Sequence, residues 1–284
     1  MDERRESIAE RLRAERDNRE SHGLYYLTQV LLAFNSNHME GSTLSAEQTA
    51  QIFETGAFLS HSGNEQVRVD DAVETANHFT AFSWLLDHID DPVDKRLICR
   101  LHAMLKRGTR QEADPRRYNV GGYKSRPNVI GALAQIKTAA PEQVPACMER
   151  VFQACAALED DPYGIASMHW MFERTHPFSD GNGRVGRLVL FKECLRIGTV
   201  PPLIRDENHN LYVRALTNFP EQPGYLVDLL LNERDFYQDS FIDRFAPGEL
   251  TYTYADTWSP EAVSERQRLD QAFASRIDDY GQVE

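Results

Sequence analysis

An all-α fold is what this 284-residue sequence predicts. Three observations carry the expectation: apolar residues recur at helical spacing, the segments they mark are bounded by helix start and stop signals, and no repeat or low-complexity linker separates them. In chain order, residues 1–20 read as a charged helix with opposite-sign neighbours four apart, a surface or loosely attached element. Leu24–Met39 is strongly apolar with a helical pattern, and Ser45-Ala-Glu-Gln48 is a capping box opening the next helix. Val73, Ala76, Phe79, Leu86 and Ile89 place a buried helix over Ala72–Ile89, closed by Asp91-Pro92. Ile165, Met168 and Phe172 follow an Asp161-Pro162 start, and Leu188, Phe191 and Leu195 mark the helix after it. Pro260 to Tyr280 reads as one more amphipathic helix. The expected organisation is one compact unit of three regions: 1–92, a core over 93–235, and a charged helical tail over 236–284.

The segment between the two central helices is His176-Pro-Phe-Ser-Asp-Gly-Asn-Gly-Arg-Val-Gly-Arg187. It places a base, a carboxylate, a small-residue turn and two guanidiniums within one loop, as a polyphosphate site requires. Gly181 and Gly183 free the backbone to turn and bring N–H groups close to an anion, and the helix starting near Gly183 points its positive end there. Arg184 and Arg187, three apart, share a face and can fork onto phosphate oxygens. Asp180 offers a hard oxygen ligand for Mg²⁺, and His176 is the natural general base. Singly, each group is more often structural. Jointly they have no packing rationale, since most are costly to bury unless paired.

At these residues the sequence resembles the Fic family, whose signature His-x-Phe-x-Asp/Glu-Gly-Asn-Gly-Arg-x-x-Arg is present at every fixed position. The resemblance implies an all-helical bundle with a small β-hairpin flap over the active site. It also implies Mg²⁺-dependent transfer of AMP from ATP to a hydroxyl side chain of a target protein, with release of pyrophosphate. By that resemblance His176 deprotonates the attacking hydroxyl and Asp180 holds Mg²⁺. Gly181, Asn182 and Gly183 form the anion hole, and Arg184 and Arg187 take the β- and γ-phosphates. Val120 to Gly131 resembles the family's target-binding flap, with Gly122, Tyr123, Lys124, Ser125 and Arg126 at its centre. Gly121 and Gly122 suit its turn, and Val129 and Ile130 have strand preference. Ser36-Asn-His-Met-Glu40-Gly41 resembles the inhibitory motif Ser/Thr-x-x-x-Glu-Gly/Asn, placed as in the class with an N-terminal inhibitory helix; there Glu40 pairs with Arg187. Tyr212 looks like the residue that packs against adenine.

Composition agrees. A net charge of −13 argues against nucleic-acid and anionic-lipid partners, and no apolar run approaches the roughly 18 residues of a membrane span. The charged start MDERRESIAERLRAERD is not a signal peptide, and four cysteines without C-x-x-C or metal spacing read as thiols of a reducing cytosol. Ten Lys and Arg residues crowd into Lys95–Arg126 against only Glu112 and Asp114, a bias that would steer ATP or an acidic target. The expected partners are ATP and a protein with a Tyr, Thr or Ser hydroxyl, the chain itself included; self-association is left open. Competing readings are phosphoryl transfer as in the Doc branch, which Gly183 disfavours because resembling Doc sequences carry Lys there, removal of AMP by water near Glu40, and ATP binding without turnover.

Overall fold

The structure, a computed structural model, describes residues 5–57, 67–130 and 136–280. It runs through β1 (Glu6–Ser7), α1 (Ile8–Asn18), α2 (Leu24–His38), α3 (Ala46–Thr55), α4 (Val69–Asp87) and α5 (Lys95–Lys106). The short strands β2 (Val129–Ile130) and β3 (Ile136–Lys137) precede α6 (Val144–Ala156), α7 (Pro162–Thr175), α8 (Asn182–Arg196) and α9 (His209–Asn218). The described residues close with α10 (Gly224–Tyr237), a π-helix (Gln238–Ile242), α11 (Asp243–Phe245), β4 (Leu250–Thr251) and α12 (Pro260–Asp278). The fold is the all-α bundle with a small hairpin that the sequence leads one to expect.

Local chemistry explains where the helices start. Ser7 and Ser45 each close a reciprocal capping box with Glu10 and Gln48, and the Asp161 side chain caps the first turn of α7 just ahead of Pro162. One apolar cluster then runs from Ile8 to Ile277 and draws on all three regions. At its centre lies α8, which is buried around its circumference from Asn182 to Leu195 and packs against α2, α4, α5 and α7. Each fully buried Phe or Leu on it stabilises the fold by about 1.5–3 kcal/mol. Close approach of α7 to α8 depends on Gly186, where a Cβ would lie 2.9 Å from Phe172 and collide with the Glu173 carboxylate.

The structure revises two expectations. The first helix is not loosely attached: Ile8, Ala9 and Leu12 are buried, and Arg13 and Arg16 donate to the carbonyls of Leu86 and Ser83 at 2.6 and 2.8 Å. Its long arginine stems cover apolar surface while their heads reach backbone, so a sequence rich in charge still packs. The glycines at 121 and 122 do not make the hairpin's turn either. The antiparallel pairing is Val129↔Lys137 and Ile130↔Ile136, well after these glycines, and Gly131 lies outside the described residues. Gly121 instead adopts φ 81° against α5 and donates its N–H to His102 Nδ1 at 3.1 Å.

Candidate active site

The loop from His176 to Gly181 is held between α7 and α8 by its own side chains. His176 terminates α7 in the left-handed region at φ 52°, a conformation uncommon for a residue other than glycine, and its N–H donates to the Phe172 carbonyl at 3.0 Å. Phe178 is fully buried and stacks on His102 with ring centroids 4.1 Å apart. Asn182 does not face outward with its amide: Oδ1 accepts from Phe178 N at 2.7 Å and Nδ2 donates to Phe178 O at 2.8 Å. Its side chain therefore shapes the loop, leaving the backbone at the start of α8 for an anion. Gly181 needs glycine twice over, for its φ of 77° and because a Cβ would stand 3.0 Å from Lys106 Cε.

His176 Nδ1 lies 3.3 Å from the Glu173 carbonyl, an acceptor, which makes Nδ1 the protonated nitrogen and leaves Nε2 its lone pair. Burial, helped by the Lys124 ammonium, pushes the imidazole down to about 4, so it is neutral at physiological pH. Asp180 accepts from Lys106 Nζ, from Gln111 Nε2 at 2.8 Å and from Arg184 Nη2 at 3.3 Å. Burial alone would raise its carboxyl, but the Lys106 and Arg184 charges outweigh it and hold the group well below the usual carboxylate range. Arg184 also donates from Nη1 to Glu74, whose other oxygen takes Lys106 Nζ at 2.6 Å.

Arg187 turns toward the N-terminal region. It donates from Nε to Ser36 Oγ and from Nη2 to the Ser36 carbonyl, both at 2.9 Å, and from Nη2 to Glu40 Oε1 at 2.8 Å. Glu40 lies just past the end of α2, where Gly41 turns the chain at φ 87°. Burial works to raise its carboxyl, and Arg187 and Arg184 more than offset that, holding it below the ordinary value. A Cβ on Gly183 would collide with this same carboxylate and stand 2.7 Å from Arg187 Nη1. Glu40 thus lies against the backbone at the start of α8.

The structure thereby brings together His176, Asp180, Gly181, Asn182, Gly183, Arg184, Arg187, Ser36 and Glu40. Two other expected site residues have their polar groups engaged within the fold. Tyr212 is buried inside the bundle with its hydroxyl 2.6 Å from His169 Nε2 and its ring stacked on that histidine, so its ring is already engaged in the core. Lys124 does not present its ammonium to a partner: Nζ turns inward to Asn128 Oδ1 at 2.6 Å and Thr138 Oγ1 at 2.9 Å. Burial pushes that ammonium down to about 7. Lys124 N and Asn128 Nδ2 stitch the hairpin to the loop through the carbonyls of Pro177 and Phe178, at 2.8 and 2.9 Å. Tyr123 packs near Phe178 under Lys95, Gly122 lies beside Asn119, and Ser125 and Arg126 are exposed beside the loop.

Sequence reasoning missed Glu74, Lys106 and Gln111. Lys106 appeared only as one charge in the basic stretch, and nothing local marks Glu74, which meets Arg184 across 110 positions. Among the described residues no group of three or more His, Cys, Asp or Glu could hold a metal ion.

A glycine-turned, cation-lined loop at the start of a buried helix is an arrangement suited to holding an anion such as phosphate. Residues 92–194 match the family model described as Fic/DOC. The chain is 28% identical over 200 residues to a Caenorhabditis elegans protein named protein adenylyltransferase fic-1, covering 66% of this chain and 36% of that one. To a Nematostella vectensis protein adenylyltransferase Fic it is 25% identical over 202 residues, covering 64% of this chain and 41% of that one. The chain thus spans well under half the length of these relatives. Among solved structures, a Fic-domain signaling protein from Bacteroides thetaiotaomicron superposes with a TM-score of 0.61 at 21% identity, over 87% of this chain and 99% of the other. A Fic family protein from Desulfovibrio desulfuricans gives 0.60 at 19% identity, over 80% and 68%.

Proposed function

We propose that this chain transfers AMP from ATP to a hydroxyl side chain of a protein and that its own Glu40 holds the activity in check. The observation that carries the reading is the position of Glu40, paired with Arg187 and pressed onto Gly183 at the head of the signature helix. In the reaction the hydroxyl oxygen forms a bond to the α-phosphorus, the bond from that phosphorus to the α,β-bridging oxygen breaks, and pyrophosphate leaves with its electron pair. The hydroxyl proton passes to Nε2 of His176, which is neutral and fixed by its Nδ1 contact to the Glu173 carbonyl. Backbone N–H groups of Gly181 to Gly183, with the positive end of α8, would hold the phosphates, and Arg184 and Arg187 would balance their charge.

Asp180 stands partly exposed at the loop mouth, a single carboxylate of the kind that serves Mg²⁺ arriving with substrate phosphates. Such an ion would neutralise charge developing on the departing pyrophosphate. The protein side supplies one carboxylate already engaged by Lys106, Gln111 and Arg184, which supports metal entering with the nucleotide rather than a resident ion.

Exposed Ser125 and Arg126, beside the loop, would meet the target, whose modified residue is a Tyr, Thr or Ser and can lie on the chain itself. No helix among the described residues is long and apolar enough to cross a membrane, and the four cysteines are free thiols, which suits a cytosolic setting. Mass spectrometry of lysate proteins after incubation with ATP and a Glu40→Gly chain tests the reading. An added AMP supports it; an added phosphate or no addition refutes it.

A further inference from the structure

Lys106 stands beside the signature loop with no part in the reaction described above. Its side chain is wholly buried at the end of α5, and Nζ lies 3.8 Å from where a Cβ on Gly181 would stand, so its ammonium flanks the backbone that opens α8. Both its carboxylate partners, Glu74 and Asp180, also hold Arg184. A purely structural role, pinning α4 to α5, is already filled elsewhere: Asn77, one turn beyond Glu74, donates to the carbonyls of Leu105 and Arg107 at 3.0 and 2.7 Å. The charge balance points further. Three cations, Lys106, Arg184 and Arg187, pair with three carboxylates, Glu74, Asp180 and Glu40, so these six side chains offset one another at a place shaped for polyphosphate. Two of the three carboxylates are delivered by N-terminal segments, Glu40 from the end of α2 and Glu74 from α4. Removing Glu40 frees Arg187 but leaves Glu74 across both Arg184 and Lys106.

We propose that Lys106 is a further polyphosphate-binding residue of this site and that Glu74 is the carboxylate that masks it, together with Arg184, in the resting chain. The ligand is the phosphate chain of a nucleoside triphosphate, whose non-bridging oxygens replace the two oxygens of Glu74 between Lys106 Nζ and Arg184 Nη1. With Glu40 and Glu74 both displaced, three cations face Asp180 alone, which suits an anion of high charge. The inference rests on the nucleotide reading of the loop, but its test does not need the chemistry.

Calorimetric titration of the full chain with inorganic tripolyphosphate, with metal removed by a chelator, measures the effect directly. Glu74→Gln is expected to bind tripolyphosphate at least about ten-fold more tightly than the wild type, the order of one charge-assisted contact. Adding Lys106→Met should abolish that gain. Adding the exposed Arg100→Met instead, which leaves the same net charge, should preserve it. If Glu74→Gln fails to keep a native melt, Glu74→Asp, still anionic but one methylene shorter, should show a smaller gain with the same dependence on Lys106. Unchanged or weaker binding in the folded Glu74 variants, or a gain that survives Lys106→Met, overturns the proposal. A Lys106-dependent gain without AMP transfer from any variant sustains it and refutes the AMP-transfer reading. AMP transfer by Glu40→Gly, with no gain in binding from Glu74→Gln, does the reverse.

Discussion

Replacing Glu40 by glycine tests the proposed inhibition separately from the architecture. Glu40 lies beyond the last residue of α2 and accepts one hydrogen bond from Arg187 at 2.8 Å, while Ser36 accepts two more from the same guanidinium. A hydrogen bond to a charged group contributes about 1.5–3 kcal/mol, so a phosphate that must displace the Glu40 carboxylate is disfavoured by roughly 10- to 150-fold. Glu40→Gly should therefore raise AMP transfer by about 10- to 100-fold, and Arg187→Ala in that background should remove the gain. Stability should move the opposite way. Only the Arg187 side of the pair is buried, and it keeps its two contacts to Ser36, so the variant should melt only slightly lower and recover when ATP supplies a new partner for Arg187. Auto-labelling with radioactive ATP, read beside thermal melts with and without ATP, checks both effects. Unchanged or reduced labelling in a chain that melts cooperatively would refute the inhibitory role of Glu40 while leaving the signature loop's assignment intact.

His176→Ala should lower AMP transfer by about 10²–10⁴-fold with ATP affinity within a small factor, because a general base makes no ground-state contact with phosphate; calorimetry and turnover together decide, and equal losses would make His176 structural. Asp180→Ala should lose activity and also lose the tightening of ATP binding by Mg²⁺, and a tightening that persists by calorimetry places the metal elsewhere. Acid should unfold the protein steeply. His78, His102 and His169, held down to about 3, and His176, held to about 4, are all below the ordinary 6.5, so as pH falls the unfolded chain takes up protons before the folded one. Stability present above pH 6.5 is then lost toward pH 4. Glu173, raised by burial to about 7, protonates first in the folded chain and works the other way, as do Glu15 and Asp270, both raised by burial, so the slope stays below the roughly 5 kcal/mol per pH unit of four imidazoles alone. Urea unfolding between pH 7 and pH 4.5 measures it, and a flat profile contradicts the burial of these imidazoles.

The sequence by itself determined much of what depends on neighbours within a few positions. Periodicity and caps placed α2, α4, α7, α8 and α12 close to their observed bounds, because helix starts and amphipathic faces are local properties of side chains and backbone. The signature loop was legible for the same reason: His176, Asp180 and the two arginines lie within twelve residues, and its glycines announce a turn. The pairing of Glu40 with Arg187, expected only through the family resemblance, is present in the geometry at 2.8 Å. Tertiary structure alone decided which charges meet. Glu74 reaches Arg184, Lys106 passes under Asp180, and Lys124 and Tyr212 turn inward, all through packing of segments far apart in the chain. Long polar side chains have too many rotamers for sequence to fix where their heads lie, and the high cost of burying an unpaired charge is settled only when another helix brings its partner.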